Sequence, residues 1–123
     1  MFSASLQKGK RLQWVTNFVD DRNYELFSTD DNYFYRSEVR DGQTTEGARV
    51  PLKIDKKKFR TLQVHVSKAQ IVHQVLEGDK WEVLDFWAPP NRDLSGGSFG
   101  FYIPSSDEVN LANFSFYADL VPR

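Results

Sequence analysis

Cysteine is absent from the 123 residues. That removes disulfides, a thiol nucleophile and any thiolate-bound metal from consideration, and leaves the chain indifferent to redox compartment. An excess of one charge is missing too. Sixteen Lys and Arg stand against seventeen Asp and Glu, for a formal net charge of −1. Proteins that grip nucleic acid carry a basic excess that neutralises phosphates, so nucleic acid is not an expected partner. No apolar run approaches the roughly 18 residues of a membrane helix, and membrane insertion is not expected. Met1 leads directly into a mixed, strand-like segment rather than the apolar stretch of a signal peptide. No segment sustains an apolar stripe at i, i+3, i+4 and i+7, so helix is not the expected building block.

What the chain has instead is aromatic residues, with ten Phe, five Tyr and three Trp. These rings and Val favour the half-buried pleated surface of a sheet. Short alternating runs recur along the whole sequence. The first half reads as strands at Phe2–Leu6, Leu12–Phe18, Asn23–Phe27 and Tyr33–Val39, then a short fifth at Val50–Ile54 with Pro51 marking an edge. Residues 43–47 are polar and read as a loop after the Asp41-Gly42 turn. The second half reads as a hairpin of residues 61–66 and Ile71–Leu76, then Trp81–Trp87, Phe99–Ile103 and Val109–Tyr117. About ten short strands with turn signals every 8 to 12 residues predict an all-β, two-sheet antiparallel sandwich of the jelly-roll kind. The length fits one domain, placed at residues 1–120. The end Leu120-Val121-Pro122-Arg123 matches a thrombin-cleaved tag, so Val121–Arg123 are set aside and a longer parent protein is expected.

Several segments together resemble a known group. Phe59–Val66 precedes Ile71-Val72-His73, a Gly78 turn and Trp81–Asp85. Gly96-Gly97-Ser98-Phe99-Gly100-Phe101-Tyr102-Ile103 then leads into Val109–Phe116. This order resembles the closing half of concanavalin A-like, laminin-G-like jelly rolls. Asp21-Arg22-Asn23-Tyr24 is similar to a turn in their first half. The resemblance implies the sandwich fold. It also implies a binding role, because many domains of that group hold sugars, although fold alone does not fix function.

Each chemistry-bearing residue also has a plainer role open to it. Glycoside hydrolysis needs two carboxylates about 5 to 9.5 Å apart. Glu82 and Asp85 are the nearest approach, but odd spacing on a strand sends them to opposite faces, so catalysis is not expected. His65 and His73 fall on neighbouring strands of one hairpin, short of the three or four ligands zinc requires, and read as surface or packing residues. Asp20, Asp21 and Asp30 are candidate calcium ligands in oxygen-rich loops, although Asp also serves turns by bonding its own backbone. Lys53–Lys58 is the densest positive run and reads as a solvated edge.

Flat aromatic rings can stack on the C–H faces of sugars. The candidate ligand-binding set is Trp81, Trp87 and Tyr102, with Asn91, Arg92 and Asp93 as polar partners in a Pro-stiffened loop. Tyr33 and Tyr35 are further candidate rings, while Trp14, between Leu12 and Phe18, reads as core. The expected function is a noncatalytic binding module of a larger, bacterial-style protein, with a glycan as the favoured ligand. The alternative is a protein-interaction, sensory or assembly domain using the same aromatics.

Overall fold

The computed structural model describes residues 1–53, 58–90 and 92–115. Its ten strands are β1 (Phe2–Lys8), β2 (Leu12–Asp20), β3 (Asn23–Thr29), β4 (Tyr33–Arg40), β5 (Gln43–Pro51), β6 (Arg60–Val66), β7 (Ile71–Glu77), β8 (Lys80–Trp87), β9 (Ser98–Tyr102) and β10 (Glu108–Phe114). All pairings are antiparallel, and they build two five-stranded sheets. Sheet A has the order β10-β1-β6-β7-β8, and sheet B has the order β5-β4-β3-β2-β9. The expected all-β sandwich is what forms. The end of the expected last strand, at Phe116 and Tyr117, and residues Val121–Arg123 lie outside the described residues.

Ring contacts show how the sheets stack. Phe114 of β10 packs on Phe99 and Phe101 of β9, and Phe2 of β1 packs on Trp14 of β2. His73 of β7 lies against Trp14, Phe27 and Phe34, and Asp85 of β8 reaches Arg36 of β4. The β8 edge of sheet A therefore covers β4, and the β10 edge covers β9.

Trp14 is wholly buried, as expected, and its indole N–H donates to His73 Nε2 at 2.9 Å. The histidine tautomer that accepts this bond is uncharged. Burial, with Arg36 nearby, pushes its pKa down to about 3, so His73 is a neutral packing residue. His65, one register step away opposite Val72, faces outward and is exposed.

Three local devices depart from simple alternation. Residues 43–47, read as a loop, belong to β5. The Asp41-Gly42 pair has positive φ at both positions (52° and 80°) and joins β4 to β5 as a two-residue hairpin. The strand is polar because it is a solvent-facing edge. Second, Asn17 takes a left-handed φ of 53°, which Asn tolerates. The β2–β3 register shifts there, so Phe18 turns outward onto Tyr24 instead of following Trp14 inward. Third, β8 is bulged: His73 pairs with Asp85 while Gln74 pairs with Val83. The bulge cancels the odd spacing of Glu82 and Asp85, placing both opposite inward-facing partners, Val75 and His73. They still serve separate places, for Glu82 is exposed and Asp85 is tied to Arg36.

Candidate functional site

The expected ligand-binding residues scatter over the sandwich. The β8 bulge points Trp81 outward, opposite Leu76, and Trp87 inward, opposite Ile71. Trp87 is partly buried against the core, with the guanidiniums of Arg36 and Arg92 over its ring at 4.9 and 5.2 Å. Its ring is occupied by cations and is no open platform. Arg92 is turned into the molecule, as described below, while Asp93 accepts from the N–H and hydroxyl of Ser95 in a local turn. Asn91 lies outside the described residues. Tyr102 stands on β9, at the opposite edge of the sandwich from β8.

The candidate calcium ligands are likewise not gathered at one place. Asp20 and Asp21 sit before β3 and Asp30 follows it, so a seven-residue strand of roughly 20 Å separates them. Asp20 Oδ1 accepts from Asn23 Nδ2 and the Arg22 N–H, which holds its carboxyl below the usual range. Asp30 accepts from the N–H groups of Asn32 and Tyr33 and, at 2.5 Å, from the Tyr35 hydroxyl. Against the effect of burial, these bonds keep its carboxyl below the usual range. Among the described residues no three His, Cys, Asp or Glu side chains are grouped to hold a metal ion.

One end of sheet B does gather ligand-competent groups. A groove of about 490 Å³ is lined by Gly9, Lys10, Arg11, Gln13, Pro104, Ser106 and Asp107. The β1–β2 and β9–β10 turns form its walls. Register places Tyr102 directly across from Gln13 on the outer face, and Tyr102 is 50% exposed. The same row continues through Ser28 and Tyr35 to Arg49. Arg11 lies over the Tyr35 ring at 3.8 Å, and Arg49 reaches both Tyr33 and Tyr35. The groove thus offers an amide, a guanidinium and a carboxylate, with Tyr102 on the strand beside Gln13.

A different surface covers the outer side of β7 and β8. Trp81 (37% exposed), Val83 (61%) and Phe86 (58%) face solvent beside Leu76 and Val72. They form an exposed apolar strip on the edge strand β8.

No protein-family model, characterised protein or solved structure matches this chain. The sites therefore rest on their own geometry.

Sequence reasoning missed a third feature, a charged cluster between the sheets. Glu25 of β3 is 0% exposed and pairs in register with Glu38 of β4. Glu25 Oε1 accepts from Arg40 and, at 2.7 Å, from Arg92, and both arginines also pair with Glu38. Arg36 meets Asp85 at 2.9 Å. Burial pushes the Glu25 carboxyl up to about 7, opposed by Arg92 and reinforced by Glu38. Burial also raises the Asp85 carboxyl, opposed by Arg36. The missed signal is in β4, where Arg36, Glu38 and Arg40 share the parity of the core residue Phe34.

Proposed function

We propose that this domain is a noncatalytic binding module that holds a glycan on the outer face of sheet B. The observation that carries the reading is the groove between Gly9–Gln13 and Pro104–Asp107, with the exposed Tyr102 ring at its side. A sugar ring stacked on Tyr102 would gain apolar contact. Gln13, Arg11 and Asp107 then supply donors and acceptors for its hydroxyls. The volume suits a short saccharide, within the range of ordinary small-ligand sites. The resemblance to concanavalin A-like, laminin-G-like jelly rolls points to the same ligand class. The noncatalytic part of the reading rests on the paired carboxylates, because Glu25 is sealed from solvent and tied to two arginines.

A glycan-array screen, with and without calcium, tests the reading. The expected result is a calcium-independent hit that Tyr102→Ala and Gln13→Ala both abolish. A hit that survives both substitutions sinks the site, and a blank array across neutral and acidic glycans sinks the ligand class.

The strip of Trp81, Val83 and Phe86 supports a second reading, a protein-interaction module. Exposed apolar patches mark contact sites, and β8 is an edge strand to which a partner's extended segment could add. Phe86→Glu would then abolish partner binding and leave any glycan hit intact.

A further inference from the structure

Among the described residues the arginines are committed to partners, with one exception. Arg36, Arg40, Arg49, Arg60 and Arg92 each meet a carboxylate, and Arg22 donates to Asp41 O. Arg11 has neither kind of partner among those residues. Its guanidinium lies over the Tyr35 ring at 3.8 Å, the spacing of flat groups in contact, where the negative face of the ring attracts it. Tyr35 is fixed in turn, because its hydroxyl donates to Asp30 Oδ2 at 2.5 Å. Asp30 acts on Arg11 through space, but its oxygens are already taken by the Asn32 and Tyr33 N–H groups and the Tyr35 hydroxyl.

Arg11 also lines the groove, next to Lys10, and both are exposed. The other wall is the turn from Pro104 to Asp107, closed by the Asp107 N–H donating to Pro104 O at 2.9 Å. Asp107 leans over Gly9, where a Cβ would collide with its carboxylate. Gly9, at a φ of 125°, is thus the residue that lets the two turns approach. The charged lining consists of two cations, Lys10 and Arg11, and one carboxylate, Asp107. It carries a surplus of one positive charge.

The geometry points to a saccharide bearing a carboxylate, a sugar acid, as the ligand of this groove. This inference rests on the glycan reading of the same groove and narrows it. The N–H donors of a guanidinium lie in its own plane, in a fork that matches a carboxylate. A ring against its face leaves that edge free, and charge-assisted bonds made there are roughly twice as strong as neutral ones. Lys10 adds a second positive charge without a fixed direction. Gln13 and Ser106 serve the uncharged hydroxyls, and Asp107 accepts from hydroxyls as well. One carboxylate balances the surplus charge of the lining. A densely sulfated chain would instead bring several negative charges against Asp107.

A panel of oligosaccharides carrying a uronic or other sugar acid, a sulfate ester or no charge is screened first. The best binder is then titrated calorimetrically beside its carboxyl-reduced form. The sugar acid should bind, and its reduction to the alcohol should weaken binding about ten-fold or more. Arg11→Met, which keeps the packing over Tyr35 and loses the charge, should do the same. Lys80→Met, an equal loss of charge on β8 of the other sheet, should keep the parent affinity. Raising the salt from about 0.1 M to about 1 M shortens the reach of charge from about 10 Å to about 3 Å, so it should weaken the parent more than Arg11→Met. Equal affinity for the two forms, binding by a sulfated sugar alone, or an acidic hit untouched by Arg11→Met overturns the sugar acid. If such a hit is still lost in Gln13→Ala, the glycan reading of the groove stands without it, whereas a blank panel removes both. Should Arg11→Met fail to fold, the Arg11 Nε–H resonance of the isotope-labelled parent decides. A shift with the sugar acid and none with its reduced form supports the inference, and a resonance unmoved by the sugar acid overturns it.

Discussion

The space between the sheets has two unlike sides. Toward β1, β2, β9 and β10 it is filled by rings, with Phe2, Trp14, Phe99, Phe101 and Phe114 meeting edge-on or tilted. Toward β3, β4 and β8 it is filled by charges, namely Glu25, Arg36, Glu38, Asp85, Arg92 and Arg40. The first side is held by removal of apolar area from water. The second is held by mutual neutralisation, which must offset the desolvation of each charge. The sides meet at His73, whose ring packs among Trp14, Phe27 and Phe34 while Arg36 lies close enough to depress its basicity. The difference teaches that a sandwich of this size closes over a polar margin as long as its charges come in partners.

The largest expected effect separates the two sides. Trp14→Ala removes a fully buried ring and leaves His73 Nε2 unpaired, so it should cost about 3–5 kcal/mol in urea unfolding. A single cut on the charged side, Arg36→Ala, strands Asp85 beside the core. It should cost about 3 kcal/mol, at the lower end for a broken buried pair, because the pair keeps some solvent contact. Replacing both partners, as Arg36→Met with Asp85→Leu, should by contrast be neutral or stabilising. If the double replacement costs as much as the single one, the two sides do not differ in the way described.

Smaller effects follow from proton linkage, with opposite signs on the two sides. The Glu25 carboxyl is raised when folded, so the stability it contributes is fully present below its unfolded value. That contribution is lost as the pH rises toward about 7. Glu25→Gln should erase this slope. His73 is lowered when folded, so its contribution is present above the ordinary histidine range and is lost as the pH falls toward about 3. His73→Gln should flatten the acid limb of the same urea series. The smallest effect on stability is expected at Tyr102→Ala, within about 0.5 kcal/mol for an exposed side chain, although binding should be lost.

The ring-filled side was legible from alternation. Phe2, Trp14 and Leu62 occupy the inward parity that their runs announce, whereas Asn23–Phe27 alternates through Tyr24 and Leu26 and turns Glu25 and Phe27 inward instead. Asp41-Gly42 fixes a hairpin by turn chemistry alone. The charged side was not legible for a physical reason. In Tyr33–Arg40 the pattern admits two readings, one with Tyr33, Tyr35 and Val39 inward and one with Phe34, Arg36, Glu38 and Arg40 inward. Hydrophobicity favours the first, whereas the structure takes the second, because Glu25 and Asp85 from other strands neutralise the arginines. Arg11 covers Tyr35 from outside. Such pairing lies between residues far apart in the chain and leaves no local trace. Bulges hid the rest, since one residue more or fewer at Asn17 or Leu84 reverses the facing of Phe18 and Trp87. Of the candidate binding residues that the structure describes, only Tyr102 falls beside the groove, for register with Gln13 rather than composition puts it there.

The most direct test of the binding account is backbone amide NMR of the isotope-labelled domain titrated with the best glycan from the array. The account predicts shifts confined to Gly9–Gln13 and Tyr102–Asp107, with β8 undisturbed. Shifts centred on Trp81–Phe86 or on Trp87–Asp93, with the groove silent, would contradict it.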